Sequence, residues 1–508
     1  MTTAIDVTNV INVSISESQS LLTSKNVNNL VIFSNETPGF SDAFRLYVDA
    51  TSVANDFGVN SLTFQMANKI LSQAPNILTG GGTLTIIPLL NSVSATSGGF
   101  STKSIEANLA NFKTVTNGAF NVDIDGVSEP ISISGLNFSN IQEATYLNDI
   151  INVIQNKLQD VIVTAGQSSS GGSEVVFTSK KVGLGTGVVL TSPTSGTDIT
   201  GSTYLDIAAG SAITGSNATG ETIEAAILRT YGNVSFTGIL TTLLMEDAVK
   251  KALMTYCQGI DSLLYVPITT TADFTNIGTY AVSGTLNHSR VLAYTTNLVD
   301  ATLFCAAYAG RGQCVDFTGF DTMITMNLKS LSGITPDSGI NQTLYTLANQ
   351  TGVDIYVNYA ISGTVAATGV PAVVSNGANN YFDDIYSNLA VKFDAQAADF
   401  NFLRSTTTKI PQTEAGMTAF KDVDIAIARQ YVNNGVIGVG LNWTGSIPFG
   451  DPEDFQRSIT SYGYYIYSMP IVQQSQVARQ NRIAPVKQLA IKKSGAIHSS
   501  QLVINVQQ

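Results

Sequence analysis

The chain has 508 residues and a net charge of −12, too long for a single core and short of the clustered cations that a sequence-independent nucleic-acid binder needs. Apolar residues make up 44% and charged residues only 12%, about half the usual charged share of a soluble domain. Disorder is excluded, because disordered chains are apolar-poor and charge-rich, and what is left is β-rich domains with surfaces that other subunits cover.

Residues 4–15 alternate. Ile5, Val7, Ile11, Val13 and Ile15 point one way, while Asp6, Thr8, Asn12 and Ser14 point the other. Period two over this length predicts a strand with one dry face. The polar run Ser16-Glu-Ser-Gln-Ser20 follows instead of a tight turn. The strand must therefore pair far along the chain, or on another molecule.

From Leu30 the pattern turns to strand and helix in alternation. Leu30–Phe33 reads as a central strand. Ser61–Ala74 reads as a helix with Leu62, Met66, Ile70 and Leu71 on one face, and Pro75 ends it. Gly80-Gly-Gly82 leads into a strand at Thr83–Leu90. The alternation resumes beyond residue 220, with helices at Glu221–Arg229, Leu243–Gln258 and Ser338–Gln350. Strands are predicted at Val234–Leu240, Ser262–Thr269, Arg290–Thr295 and Val353–Ile361. Strands separated by helices imply a mostly parallel, covered sheet.

Between these stretches the character changes. Ser92–Ser104 and Thr191–Gly220 are Ser/Thr/Gly-rich and read as linkers. They enclose short strands with turn signals at Asn117-Gly118 and Asp125-Gly126. An amphipathic helix at Ile141–Leu158 and strands at Val161–Thr164 and Glu174–Thr178 complete the region. Toward the C-terminus a helix opens at Thr413-Glu414 and ends at Asn433-Asn-Gly435. A polar helix is predicted over Val472–Arg482, then strands at Val486–Lys492 and Ile497–Val506. In the last of these Leu502, Ile504 and Val506 share a face.

The reading is an α/β core, with a mixed, mostly parallel sheet and flanking helices, an inserted α+β hairpin-rich domain and extended terminal strand arms. The boundaries are 1–25 for an N-terminal arm, 26–92 with 220–470 for a discontinuous core, 93–219 for the insert, and 471–508 for a linker helix and basic strand arm.

Catalytic chemistry finds little to work with. His288 and His498 are the two histidines, and each reads as structural. Cys257, Cys305 and Cys314 are far from metal-ligand spacing, and their odd number fits a reducing compartment. Gly183-Leu-Gly-Thr-Gly187 lacks a following helix, so it reads as a turn rather than a dinucleotide loop. Gly80-Gly-Gly82 precedes a strand, the wrong order for cradling phosphate. Asp383-Asp384 and Asp451 with Glu453 and Asp454 read as helix caps. No enzyme, metal or cofactor is expected. The start, Met1-Thr-Thr-Ala-Ile-Asp6, lacks signal-peptide character, and Tyr359–Val374 is too interrupted for a membrane span. The expectation is a protein made in the cytosol, with no membrane insertion and no nucleic-acid partner.

The ends carry the stronger signal. Residues 471–508 hold Arg479, Arg482, Lys487, Lys492 and Lys493 and no acid, a +5 tail on a body of −17. The N-terminal arm carries Asp6 and Glu17 before its first base, Lys25. Unpaired strands with one apolar face persist when a neighbour supplies the partner edge. Acidic and basic arms pair head to tail across subunits, which generates rings or open helical tubes.

Ser475-Gln-Val-Ala-Arg-Gln-Asn-Arg482, then Ile483-Ala-Pro485 and Ala490-Ile-Lys-Lys-Ser-Gly-Ala-Ile-His498, resembles the end of contractile tail sheath proteins of bacteriophages. Tyr47-Val-Asp-Ala-Thr-Ser-Val-Ala-Asn-Asp-Phe-Gly58 is similar to a second family pattern. Thr116-Asn-Gly-Ala-Phe-Asn-Val-Asp-Ile-Asp-Gly126 is similar to the protruding domain of one sheath subgroup. Lys493-Ser494 departs from the pattern, where a small apolar residue is expected. The resemblance implies a subunit that polymerises helically around a tail tube, with terminal strands added to a neighbour's core sheet. It implies partners in further copies of itself, the tail tube protein, and baseplate and tail terminator proteins, in a virion assembled in the host cytoplasm. The arm residues are then Ile5, Val7, Ile11, Val13, Ile15, Ile497, Leu502, Ile504 and Val506. Arg479, Arg482, Lys492 and Lys493 become tube- or neighbour-facing bases. Contraction needs no nucleotide site, because its free energy is stored at assembly. The alternatives are a sheath subunit of a bacterial contractile injection system and, from another class, a secreted or surface-layer β-rich protein.

Overall fold

The computed structural model describes residues 21–126, 129–168, 171–283, 288–360, 369–377, 381–504 and 506. The chain divides into two compact units, Asn26–Leu389 with Gly495–Gln508, and Met1–Lys25 with Ala390–Ser494.

The larger unit begins with three strands, β1 (Leu30–Ser34), β2 (Arg45–Tyr47) and β3 (Leu84–Pro88). Every residue of β1 and β3 is buried, as unbroken apolar runs demand when both faces of a sheet are covered. The inserted region carries β4 (Gly99–Ser101), β5 (Gly118–Ile124), β6 (Ile131–Leu136), β7 (Val161–Gln167), β8 (Ser173–Ser179), β9 (Val188–Thr191), β10 (Thr197–Asp198) and β11 (Ser211–Ile213). The main sheet then resumes with β12 (Gly238–Thr241), β13 (Leu263–Ile268), β14 (Ser289–Ala293), β15 (Val353–Tyr359) and β16 (Val370–Val374). Its order is β16-β15-β14-β13-β12-β1-β3-β2. The inner strands run parallel, and β2 and β16 close the two edges antiparallel.

Helix starts follow their caps. Ser61 Oγ accepts from the Phe64 amide at 3.1 Å, and the Glu36 carboxylate accepts from the Leu62 and Thr63 amides at 2.9 and 2.8 Å. These bonds satisfy orphan donors and place negative charge at the positive helix end. The helix Leu298–Gly312 is buried nearly all round, so it shows no amphipathic period. A Cβ on its Gly310 would fall 2.5 Å from the Ile70 carbonyl oxygen; only glycine permits this approach to the helix Leu62–Leu71.

The insert forms two four-stranded sheets, β10-β5-β6 with β9 on β5, and β11-β4-β8-β7. They share a core that includes Phe112, Phe120, Leu136, Phe138, Ile154 and Phe177. Asp125 and Gly126, at φ 59° and 70°, follow the end of β5, in the left-handed backbone that Asp and Gly tolerate best. Asn117-Gly118 instead follows a 3₁₀ segment and opens β5. The two tracts read as linkers are paired to each other. Val93 bridges Thr219, Thr96 bridges Ser216, and β4 pairs β11. Further ties reach the carboxyl ends of the main strands. Asp160 accepts from the Thr271 amide at 3.0 Å and its hydroxyl at 2.8 Å, while Lys181 Nζ lies 3.4 Å from both Asp247 and Asp273.

In the smaller unit, β17 (Tyr464–Ser468) pairs antiparallel with β18 (Lys487–Ile491), Tyr464 opposite Ile491 and Ser468 opposite Lys487. The helix Glu414–Asn434 starts on the Thr413 cap and stops at left-handed Gly435. Asp451 caps the helix Pro452–Tyr462, accepting from the Glu453 and Asp454 amides, so this acidic cluster is consumed by a helix start. The polar helix is shorter than expected, Gln476–Gln480.

Candidate assembly surface

Among the described residues β17 and β18 pair only with each other, so neither outer edge carries a further strand, though the Tyr464 carbonyl accepts from Ser458 Oγ at 2.9 Å. One face is packed. Tyr465 lies against Phe449 and Phe455, and Phe455, Ile459 and Ala490 are buried beside Trp443. Lys487 is anchored inward, with Nζ 2.5 Å from Asp399, 2.7 Å from Asp424 and 3.6 Å from the Phe420 ring centroid. One of the five tail cations is thereby neutralised inside its own unit.

The four bases expected to face a partner fall at two places. Arg479 and Arg482 are exposed at the end of the short helix Gln476–Gln480 and just beyond it. Lys492 and Lys493 follow β18 half-buried, their backbone held by bonds from Lys492 N to Gly463 O and Gly438 N to Lys492 O and by the Ile437 bridge. Around the first pair, Val472, Val477, Ile483 and Val486 are all exposed.

The C-terminal arm differs from the expected strand. Residues 495–504 and 506 carry no strand, although Ile497, Leu502, Ile504 and Val506 are 91, 82, 74 and 83% exposed. Alternation supplies one apolar face, but a strand also needs a partner edge, and none is paired with these residues. His498 holds the root, its Nε2 2.9 Å from Thr325 Oγ1 and its ring edge-on to Tyr381 at 4.9 Å.

Ile5, Val7, Ile11, Val13 and Ile15 lie outside the described residues. The N-terminal root is described. The Leu22 amide donates to Asn401 Oδ1 at 2.7 Å, and Asn401 Nδ2 donates back to the Leu22 carbonyl at 2.8 Å. Lys25 Nζ lies 4.9 Å from the Phe393 ring centroid. No sequence pattern marks Asn401, since one amide bonded to backbone 379 residues away leaves no local signal.

Burial pushes the Cys257 and Cys305 thiols up, away from the reactive thiolate. Among the described residues no group of three or more His, Cys, Asp or Glu could hold a metal ion. Gly183 and Gly185 take positive φ in a turn. A cleft of about 440 Å³ between insert and main sheet is lined by Lys180, Thr269, Thr295 and Ser338. The carboxylates beside it already accept bonds from Thr271, Thr295 and Gly339. No helix among the described residues is long and apolar enough to cross a membrane.

Residues 382–506 match the family model described as E217 tail sheath protein gp31-like, C-terminal domain. The matched segment contains β17, β18, both pairs of bases and the exposed arm, and over these residues the family model agrees with the resemblance to contractile tail sheath proteins. Three solved structures align with this chain at low identity and low TM-score. A sheath complex of an extracellular contractile injection system (PVC, contracted state) aligns at 11% identity and TM-score 0.37 over 55% of this chain and 72% of that one. The contracted baseplate of the anti-feeding prophage aligns at 10% identity and TM-score 0.45 over 99% of both chains. The flagellar cap protein FliD of Escherichia coli aligns at 14% identity and TM-score 0.17 over 35% and 42%. No curated protein matches the sequence.

Proposed function

We propose that the chain is a structural, non-enzymatic subunit of a contractile phage tail sheath that polymerises helically around the tail tube. The observation that carries this reading is the tail sheath family match over residues 382–506, the segment that holds an open-edged strand pair and an uncovered apolar arm. In the proposal, Ile497, Leu502, Ile504 and Val506 of one copy add a strand to the β17–β18 pair of the next. Ile5, Val7, Ile11, Val13 and Ile15 do the same from the other end. Arg479, Arg482, Lys492 and Lys493 face a neighbour or the tube. Residues 26–92 and 220–470 form the core, 93–219 an outer domain, and 1–25 and 471–508 the arms. Baseplate and terminator proteins close the two ends of the polymer, and the virion tail is its location. The family's description as a tail sheath favours a phage tail over a free-standing injection system.

The test is the full chain carrying Leu502→Arg and Ile504→Arg, compared with wild type by electron microscopy and thermal unfolding. Both residues are exposed, so the variant is expected to melt with wild type while losing tubes or stacked rings. Polymers as abundant as wild type would remove the arm from the assembly.

A further inference from the structure

We infer that Asn401 is a positioning residue, a backbone clamp that fixes where the N-terminal arm leaves the subunit. Its side-chain amide offers one acceptor and one donor, and both engage the main chain of a single residue. Oδ1 takes the Leu22 amide at 2.7 Å, and Nδ2 gives to the Leu22 carbonyl at 2.8 Å. A strand offers its neighbour the same pair of groups, so Asn401 stands in for a partner strand at one residue. The Leu22 side chain takes no part and is exposed, as is that of Leu21. The clamp therefore reads backbone and is indifferent to side-chain identity.

Two features place this clamp at a mechanical boundary. Asn401 stands on the helix Phe382–Ser405, and three residues beyond Leu22 the Lys25 ammonium covers the Phe393 ring of the same helix at 4.9 Å. The chain is thus tied to one helix at two points immediately after the arm. A tether that joins moving bodies transmits its pull to its root. A root held by two hydrogen bonds and a cation–π contact keeps that pull from peeling residues 22–25 off the unit. Of these contacts only the Asn401 pair fixes direction, because two antiparallel bonds to one residue define the orientation of the chain.

This inference rests on the sheath reading for its assembly readout only. The experiment uses the full chain as wild type, Asn401→Leu (equal in size, without polar atoms) and Asn401→Asp, which keeps the acceptor and loses the donor. Hydrogen exchange at the Leu22 amide is measured on unassembled protein, and polymer is scored by electron microscopy. Asn401→Leu is expected to speed exchange at Leu22 roughly five- to tenfold, as loss of one net hydrogen bond implies, with an unchanged melting midpoint. It is also expected to give fewer and shorter polymers, with Asn401→Asp intermediate in both readouts. Equal exchange at Leu22 in wild type and Asn401→Leu overturns the clamp, and so do equal polymers despite faster exchange. A wild-type chain that forms no polymer contradicts the sheath reading instead, and the exchange rates still decide the clamp.

Discussion

The guanidinium of Arg290 and the carboxylate of Asp354 meet at 3.3 Å with both side chains fully buried. Arg290 Nη2 also donates to the Gly352 and Asn376 carbonyls, and Asp354 Oδ1 accepts from the Asn376 amide at 2.6 Å. The pair joins the starts of β14 and β15 to the residues just after β16, at the end of the main sheet. Burial holds Asp354 above the ordinary aspartate range even beside Arg290. A buried charge left without its partner is among the costliest single changes in a fold. Arg290→Met is expected to destabilise the larger unit by ~3–5 kcal/mol in urea unfolding. Arg290→Met with Asp354→Leu should recover most of that loss, because the pair itself, once desolvated, stabilises little. A double variant no better than the single one would contradict this account.

Lys487 plays the corresponding part in the smaller unit. It joins β18 to Asp399 and Asp424, side chains 31 and 8% exposed, over the Phe420 ring. Lys487→Met leaves two carboxylates facing each other without their cation, and is expected to cost ~2–4 kcal/mol. Because β18 is half of the open-edged pair, assembly should fall with it. Equal urea midpoints for Lys487→Met and wild type would show the ion triad to be dispensable.

Asp273 carries a pH dependence. Burial, then the nearby Asp247 carboxylate, pushes it above its ordinary value of 3.8, against the pull of Lys250 and Lys181. The native protein therefore keeps a proton there that the unfolded chain releases, in the window starting at 3.8 and running up to the raised value. Stability from this site is fully present below the window and is lost as pH rises through it. Relative to Asp273→Asn, wild type is expected to lose stability between acid and neutral pH. Unfolding midpoints of the two proteins followed over that range test this, and parallel curves would contradict it.

The fold was legible in the sequence wherever burial leaves a regular mark. β1, β3 and β13 are apolar runs, and each lies within two residues of its predicted place. The helix Leu298–Gly312 was not legible, since a helix buried on all sides has no polar stripe to set its period. β16 was hidden by Pro371, which a strand tolerates at a sheet edge, and there β16 lies. The exposed apolar character of Ile497, Leu502, Ile504 and Val506 could be read from alternation, while the strand predicted there is absent among the described residues. The anchors of the arms could not be read, because Asn401 to Leu22 and His498 to Thr325 join residues 379 and 173 positions apart.

His498 is expected to act at the C-terminal root without supporting the fold. Its contacts are the Thr325 hydroxyl and the Tyr381 ring, and the residues that follow are largely exposed. His498→Ala should leave the melting midpoint within about 1 °C of wild type while residues 495–504 become cleaved faster by protease, as loss of one polar contact in a chain this long implies. Unchanged cleavage would show that the root is held elsewhere.

The most direct measurement is electron microscopy of the purified full chain at high concentration beside a truncation lacking residues 1–20. A sheath subunit linked by exchanged strands predicts tubes or stacked rings from the full chain and their loss on truncation. A compact monomer in both samples would contradict it.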